Sequence, residues 1–126
     1  MGFIPFKIME GKCYSRTISR ITIYNFGRIR FNAALIRRLK CEHAKGIILA
    51  YDSDKKVIKA IFEHSIDGKD NIIKVHDLKD NKISKVIQCR EFFHFFNISI
   101  PKTTTTCKIK HPIVQGTVEF SIGEEE

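Results

Sequence analysis

The chain has no tryptophan, few prolines, no paired cysteines and almost no acidic residues in its first half, and each of these shortages narrows what it can be. Without tryptophan but with ten phenylalanines, a core must be built from Phe, Ile and Val. The four cysteines, Cys13, Cys41, Cys89 and Cys107, are scattered without a Cys-x-x-Cys pair, which argues against a zinc ribbon or a redox dithiol. Free, mostly buried thiols in a reducing cytoplasm are expected, because a chain this rich in hydrophobic segments folds without disulfide staples. No apolar run approaches the roughly 20 residues that span a bilayer, so no membrane partner is expected. Residues 1–11 lack the long apolar core and cleavage site of a secretory signal, and Phe6 stands where a myristoylation signal needs Ser or Thr. The expected location is therefore cytoplasmic. The acid shortage is lopsided: residues 1–62 carry thirteen Lys and Arg against four Asp and Glu, +9, whereas residues 63–126 carry nine against ten, −1. The net charge of +8 thus comes from one half of the chain.

At 126 residues the expectation is a single domain, or two joined half-units, with a modest core. Residues 17–24 are rich in β-branched side chains and predict a strand, Asn25-Phe26-Gly27 supplies turn chemistry, and residues 28–31 predict a second strand. Asn32 is placed to cap a helix over 33–40, whose Leu35, Ile36 and Leu39 share one face. Strands at 46–52 and 57–62, joined by the turn 53–56, complete a strand-strand-helix-strand-strand order. The second half repeats it: strand 72–78, turn 79–82, strand 83–88, a helix 90–96 starting near Cys89, then strands 103–110 and 117–122. Shifting the first half by 57 positions lays Leu35, Ile36 and Leu39 on Phe92, Phe93 and Phe96. Internal duplication and the ordinary recurrence of hairpin, helix and hairpin both account for this parallel. The half-units would be 12–62, basic, and 72–122, near neutral, with 63–71 as a polar connector and 123–126 as an acidic tail.

Six of the seven arginines fall between residues 16 and 38: Arg16, Arg20, Arg28, Arg30, Arg37 and Arg38, with Lys12, Lys40 and Lys45 beside them. Phosphate neutralisation needs such clustering, and the planar guanidinium suits bidentate contact with phosphate or guanine. Strand alternation places Arg28 and Arg30 on one face and Ile29 and Phe31 on the other. The plainer reading is a solvated sheet face, since surfaces are routinely charged. Segregation of the charge into one half is what solubility alone leaves unexplained, and it favours nucleic-acid binding. Arg20, Arg28, Arg30, Arg37, Arg38 and Lys40 are the candidate contacts.

Other chemistry has weaker footing. Cys41-x-His43, and Cys107 with His111, are the nearest approaches to metal-ligand spacing, yet nothing in the sequence brings four ligands together. Cys89 and His94 lie five residues apart around a predicted helix, a spacing that does not stack side chains. Asp52 and Asp54, like Asp77 and Asp80, sit at predicted hairpin tips as turn formers. No enzyme activity, metal or cofactor is expected. Phe92, Phe93, Phe95 and Phe96 put aromatic rings on more than one helix face, so a Phe95 left unburied would mark a self-association or partner surface.

The order of elements over residues 16–62, with Gly27-Arg28-Ile29 and then Leu35, Arg37 and Leu39, resembles the AbrB/MazE/SpoVT-like swapped-hairpin family of bacterial transition-state regulators and antitoxins. The chain departs from that pattern at Asn32, where the family commonly has Pro, and at Lys40-Cys41, where it has Gly-Ile after the helix. If both halves carry the unit, the chain is similar to MraZ-like proteins, although neither helix has their Asp-x-x-x-Arg signature. A Gly-Arg-Ile-x-Phe-Asn stretch also resembles small uncharacterised prophage and mobile-element proteins. These resemblances imply an α+β, mostly β fold in which two strand-strand-helix-strand-strand units interlock into a swapped-hairpin-like barrel. They imply a DNA-binding, transcription-regulator-like function on double-stranded DNA, with a homodimer restoring two-fold symmetry for a palindromic site. The alternative is a non-enzymatic protein-interaction module, antitoxin-like or a phage accessory protein, whose basic face docks an acidic partner.

Overall fold

The computed structural model describes residues 18–68, 71–77, 83–110 and 113–122. Their order is β1 (Ile21–Ile23), β2 (Arg28–Phe31), α1 (Ala33–Leu39), β3 (Gly46–Asp52), β4 (Val57–Glu63), β5 (Ile73–Lys74), β6 (His76–Asp77), β7 (Lys85–Gln88), α2 (Arg90–Phe95), β8 (Thr105–Thr106), β9 (Lys108–Ile109) and β10 (Thr117–Ser121). The strands form two five-stranded sheets, ordered β6-β7-β2-β1-β8 and β5-β3-β4-β10-β9. The pairings are antiparallel throughout. The fold is thus mixed and strand-rich with two short helices, in line with the expected α+β, mostly β class.

Strand alternation does the sorting in β2: Ile29 and Phe31 are fully buried while Arg28 and Arg30 are half-buried on the other face. Across the ladder Arg28 faces Gln88 and Arg30 faces Val86, so β2 and β7 join the two halves of the chain at the centre of one sheet. In the other sheet β4 and β10 do the same, Ala60 facing Val118. The core between the sheets is closed by Phe31, which meets Phe62 and Phe120 edge to face at centroid distances of 5.2 and 6.1 Å.

The expected strands 72–78 and 103–110 are each split. Val75 separates β5, paired with β3, from β6, paired with β7 in the other sheet. Cys107 separates β8, paired with β1, from β9, paired with β10. A strand that passes from one sheet to another must bend at the corner, and the corner residue keeps a bond outside the regular ladder. Here Val75 N–H donates to Lys45 O at 3.1 Å and Cys107 N–H to Ile21 O at 2.8 Å. The turn 79–82 and the tail 123–126 lie outside the described residues.

Gly27 closes the β1–β2 turn at φ +87°, and a Cβ there would come within 2.9 Å of Arg90 Cα, so the turn presses directly on the start of α2. The Cys89 N–H donates to Gly27 O at 3.0 Å across that contact.

Helix α1 starts where Asn32 stops the strand. The Asn32 Oδ1 accepts from Leu35 N–H and Arg20 N–H, both at 3.0 Å, and its Nδ2 donates to Ile18 O at 2.8 Å. One amide thus caps the helix and pins the entry to β1. Asn32→Ala is expected to cost about 2 kcal/mol, the upper end for a cap, because a tertiary bond is lost with it. Urea unfolding of the two proteins measures this.

Candidate nucleic-acid interface

Two groups of cationic side chains descend from the basic first half. On β2, Arg28 and Arg30 project from the same face. With the Gln88 amide oriented to suit both partners, Arg28 Nε and Nη2 donate to its oxygen at 2.9 Å each. The Arg28 guanidinium also lies 4.8 Å from the centre of the half-exposed Phe26 ring. This is a positioned side chain, held from the turn side and from the second half of the chain. Arg30 is part exposed, but its Nε is buried without a hydrogen-bond partner among the described residues. Val86, across the ladder from it, is only 4 % exposed.

On α1, Ala34, Leu35, Ile36 and Leu39 are buried, which turns Arg37 and Arg38 outward in the last turn. Cations at this end complement the helix carbonyls. Lys40 ends the helix in the left-handed conformation, φ 58°, and donates its N–H to Arg37 O at 3.1 Å. A lysine holds this backbone at a cost that glycine would not incur. Arg20 is exposed just before β1, its backbone tied to Asn32.

Among the described residues, no carboxylate pairs with Arg20, Arg28, Arg30 or Arg37, whereas Lys59 and Glu119 form an ion pair at 4.0 Å on the surface. Arg28 and Arg30 are therefore brought together on the strand, and Arg37, Arg38 and Lys40 on the helix end that follows it. Lys12 and Arg16 lie outside the described residues.

A third group was not legible in the sequence. The loop after α1, the corner at Val75 and the start of β7 enclose a concavity of about 600 Å³ that gathers Lys45, Lys74, Lys85, His43 and His76 against Glu42. Three separate stretches of chain contribute, and only the corner pairing of β5 and β6 assembles them.

The remaining candidates resolve individually. Asp52 Oδ1 accepts from Asp54 N–H at 3.0 Å and Lys55 N–H at 3.2 Å, a turn-forming role as expected. Among the described residues no three His, Cys, Asp or Glu side chains group as metal ligands. Cys41, Cys89 and Cys107 are free and buried, whereas Cys13 and His111 lie outside the described residues. Burial pushes the Cys89 and Cys107 thiols up to about 12, and burial with the nearby Glu42 carboxylate pushes Cys41 up to about 11. That is the reverse of the lowered value a nucleophilic cysteine needs. Because the folded values exceed the unfolded 9.0, these thiols favour the fold fully below that pH and lose their contribution as pH climbs through about 11 to 12. Near neutral pH all three are expected to resist alkylation until denaturant is added, as mass mapping of the labelled peptides records.

Among the described residues no helix is long and apolar enough to cross a membrane. Compared with known proteins, the chain matches no family model, no curated protein and no solved structure.

Proposed function

We propose that this chain binds double-stranded DNA as a transcription-regulator-like protein, with Arg28, Arg30, Arg37 and Arg38 as primary contacts and Arg20 and Lys40 in support. The observation that carries the reading is the arrangement of Arg28 and Arg30 on one strand face, without a pairing carboxylate among the described residues and next in the chain to the outward basic turn of α1. A guanidinium already oriented by Gln88 and Phe26 loses little freedom on meeting a phosphate. The unpartnered Arg30 Nε is a local cost of about 1–3 kcal/mol, the kind of departure that functional sites retain.

The swapped-hairpin reading of the fold belongs to the same proposal. Helices α1 and α2 begin at Ala33 and Arg90, 57 positions apart, the same shift that aligns the halves in the sequence. The central pair of each sheet joins one half to the other. Among the described residues the strands form two separate five-stranded sheets and no closed barrel; the runs that bend at Val75 and Cys107, each serving both sheets, support the reading of two interlocked units. Since one unit carries the basic face, a homodimer supplies two such faces for a palindromic site.

A gel-shift titration against random duplex tests the function: binding at low salt that falls steeply as salt rises is expected. No shift of any duplex at low salt ends this reading in favour of a protein-interaction module in a cytoplasmic setting, a second reading that has its own support in Phe95, 79 % exposed on α2 against the ring of Phe96.

A further inference from the structure

Arg28 is held differently from the other cations of the basic half. It faces Gln88 across the ladder of β2 with β7, beside the β1–β2 turn, and the Gln88 oxygen accepts from both its Nε and its Nη2 at 2.9 Å. The Phe26 ring, 49 % exposed in that turn, lies 4.8 Å from the guanidinium carbon. One edge and one side of the group are thereby fixed.

A guanidinium carries its N–H donors in a rigid planar fork. Gln88 occupies the edge made by Nε and one Nη2 proton, so what remains is the end-on edge, where a proton of Nη1 stands beside the second proton of Nη2. No carboxylate among the described residues takes that edge. It also opens on the surface, since Asn25, Phe26 and Gln88 around it are all exposed.

Contact with phosphate needs little orientation, because phosphate oxygens accept from many directions, and Arg37, exposed in the last turn of α1, is suited to it without a holder. A fork fixed in one plane gains most where two acceptors lie side by side in that plane. In the major groove of a duplex, guanine O6 and N7 are that pair. Adenine presents an acceptor beside a donor and suits a free amide, but the Gln88 oxygen is already committed to Arg28.

We propose that Arg28 is the sequence-reading residue of the duplex interface, its free Nη1 and Nη2 edge donating to O6 and N7 of a guanine in the major groove, with Gln88 as a positioning residue. This rests on the reading of the chain as a duplex-binding protein and adds base recognition to it. On a random duplex the same edge meets phosphate. Specificity is then a joint product of the two halves of the chain, the reader coming from β2 and its holder from β7.

The test is selection of bound duplexes from a randomised pool by the full chain, followed by gel-shift titration of a recovered duplex in two altered forms. In one the enriched guanine is replaced by a deaza analogue that lacks N7, and in the other by hypoxanthine, which keeps O6 and N7. Guanine is expected at a fixed position, with binding weakened about tenfold or more by the deaza analogue and within about twofold for hypoxanthine. Arg28→Ala is expected to bind the guanine and deaza duplexes equally. Gln88→Leu, which has no acceptor, should lose most of that ratio while keeping the salt slope of the parent on random duplex, and Gln88→Glu, which keeps an acceptor, should retain the ratio. Each ratio compares two duplexes on one protein, so a partly unfolded fraction cancels. No guanine enrichment overturns the proposal, as does a ratio that survives Arg28→Ala or Gln88→Leu, or one lost in Gln88→Glu. Enrichment of adenine that Gln88→Leu abolishes would make Gln88 the reader and overturn it too. Duplex binding without base preference removes this inference alone, whereas no binding of any duplex removes the proposed function with it.

Discussion

Replacing Arg28 and Arg37 together with alanine is expected to weaken binding to a random duplex about a hundredfold at low salt and to lower the slope of log K against log salt by about 2. Two phosphate contacts are removed, each releasing fewer counterions, so the two readouts must move together. A loss of affinity with an unchanged slope would mean that the substitutions act through the fold and not through phosphate. The fold itself should survive. Arg37 is exposed, and Arg28 loses a ring contact and an amide pair worth about 1 kcal/mol between them in a half-exposed setting. Lys40→Gly sharpens the distinction, because it removes a charge while relieving the left-handed backbone at φ 58°. That protein is expected to be as stable as the parent or about 1 kcal/mol more so, yet to bind duplex more weakly.

Phe31→Ala is expected to destabilise the fold by about 3–5 kcal/mol, a large part of the whole for a domain of this size, and to lower the thermal midpoint by about 10–20 °C. The ring is fully buried where the two sheets face each other, against Phe62 and Phe120, so truncating it removes those contacts and leaves a cavity between the sheets. Phe95→Ala, on a side chain that is 79 % exposed, should stay within about 0.5 kcal/mol. Calorimetric or urea unfolding of the pair distinguishes them. Equal effects would place Phe95 in a contact that the isolated chain does not make, namely self-association, and the dependence of the midpoint on protein concentration would reveal it.

Local chemistry decided which elements form, and so these were legible before any coordinates. The turn at Asn25-Phe26-Gly27, the inward Ile29 and Phe31, the cap at Asn32 and the buried face of α1 all follow from side chains acting within a few residues of themselves. Strand β3 has the bounds expected of it, Gly46–Asp52. The failures share one cause. Val75 and Cys107 sit inside runs that favour extended backbone, and nothing in their immediate neighbours says that the partner strand changes there. Phe95 and Phe93 were likewise indistinguishable as residue types, and only packing separated the exposed ring from the fully buried one.

By itself the sequence determined an α+β, strand-rich chain with its net positive charge confined to residues 1–62, because composition, alternation and capping are properties of short stretches. Only the tertiary structure decided that Gln88 and Phe26 hold Arg28, that the two halves meet at β2 with β7 and at β4 with β10, and that lysines from both halves gather at the Val75 corner. Those are pairings between residues tens of positions apart, and they exist only once each strand has its partner and each sheet its facing sheet.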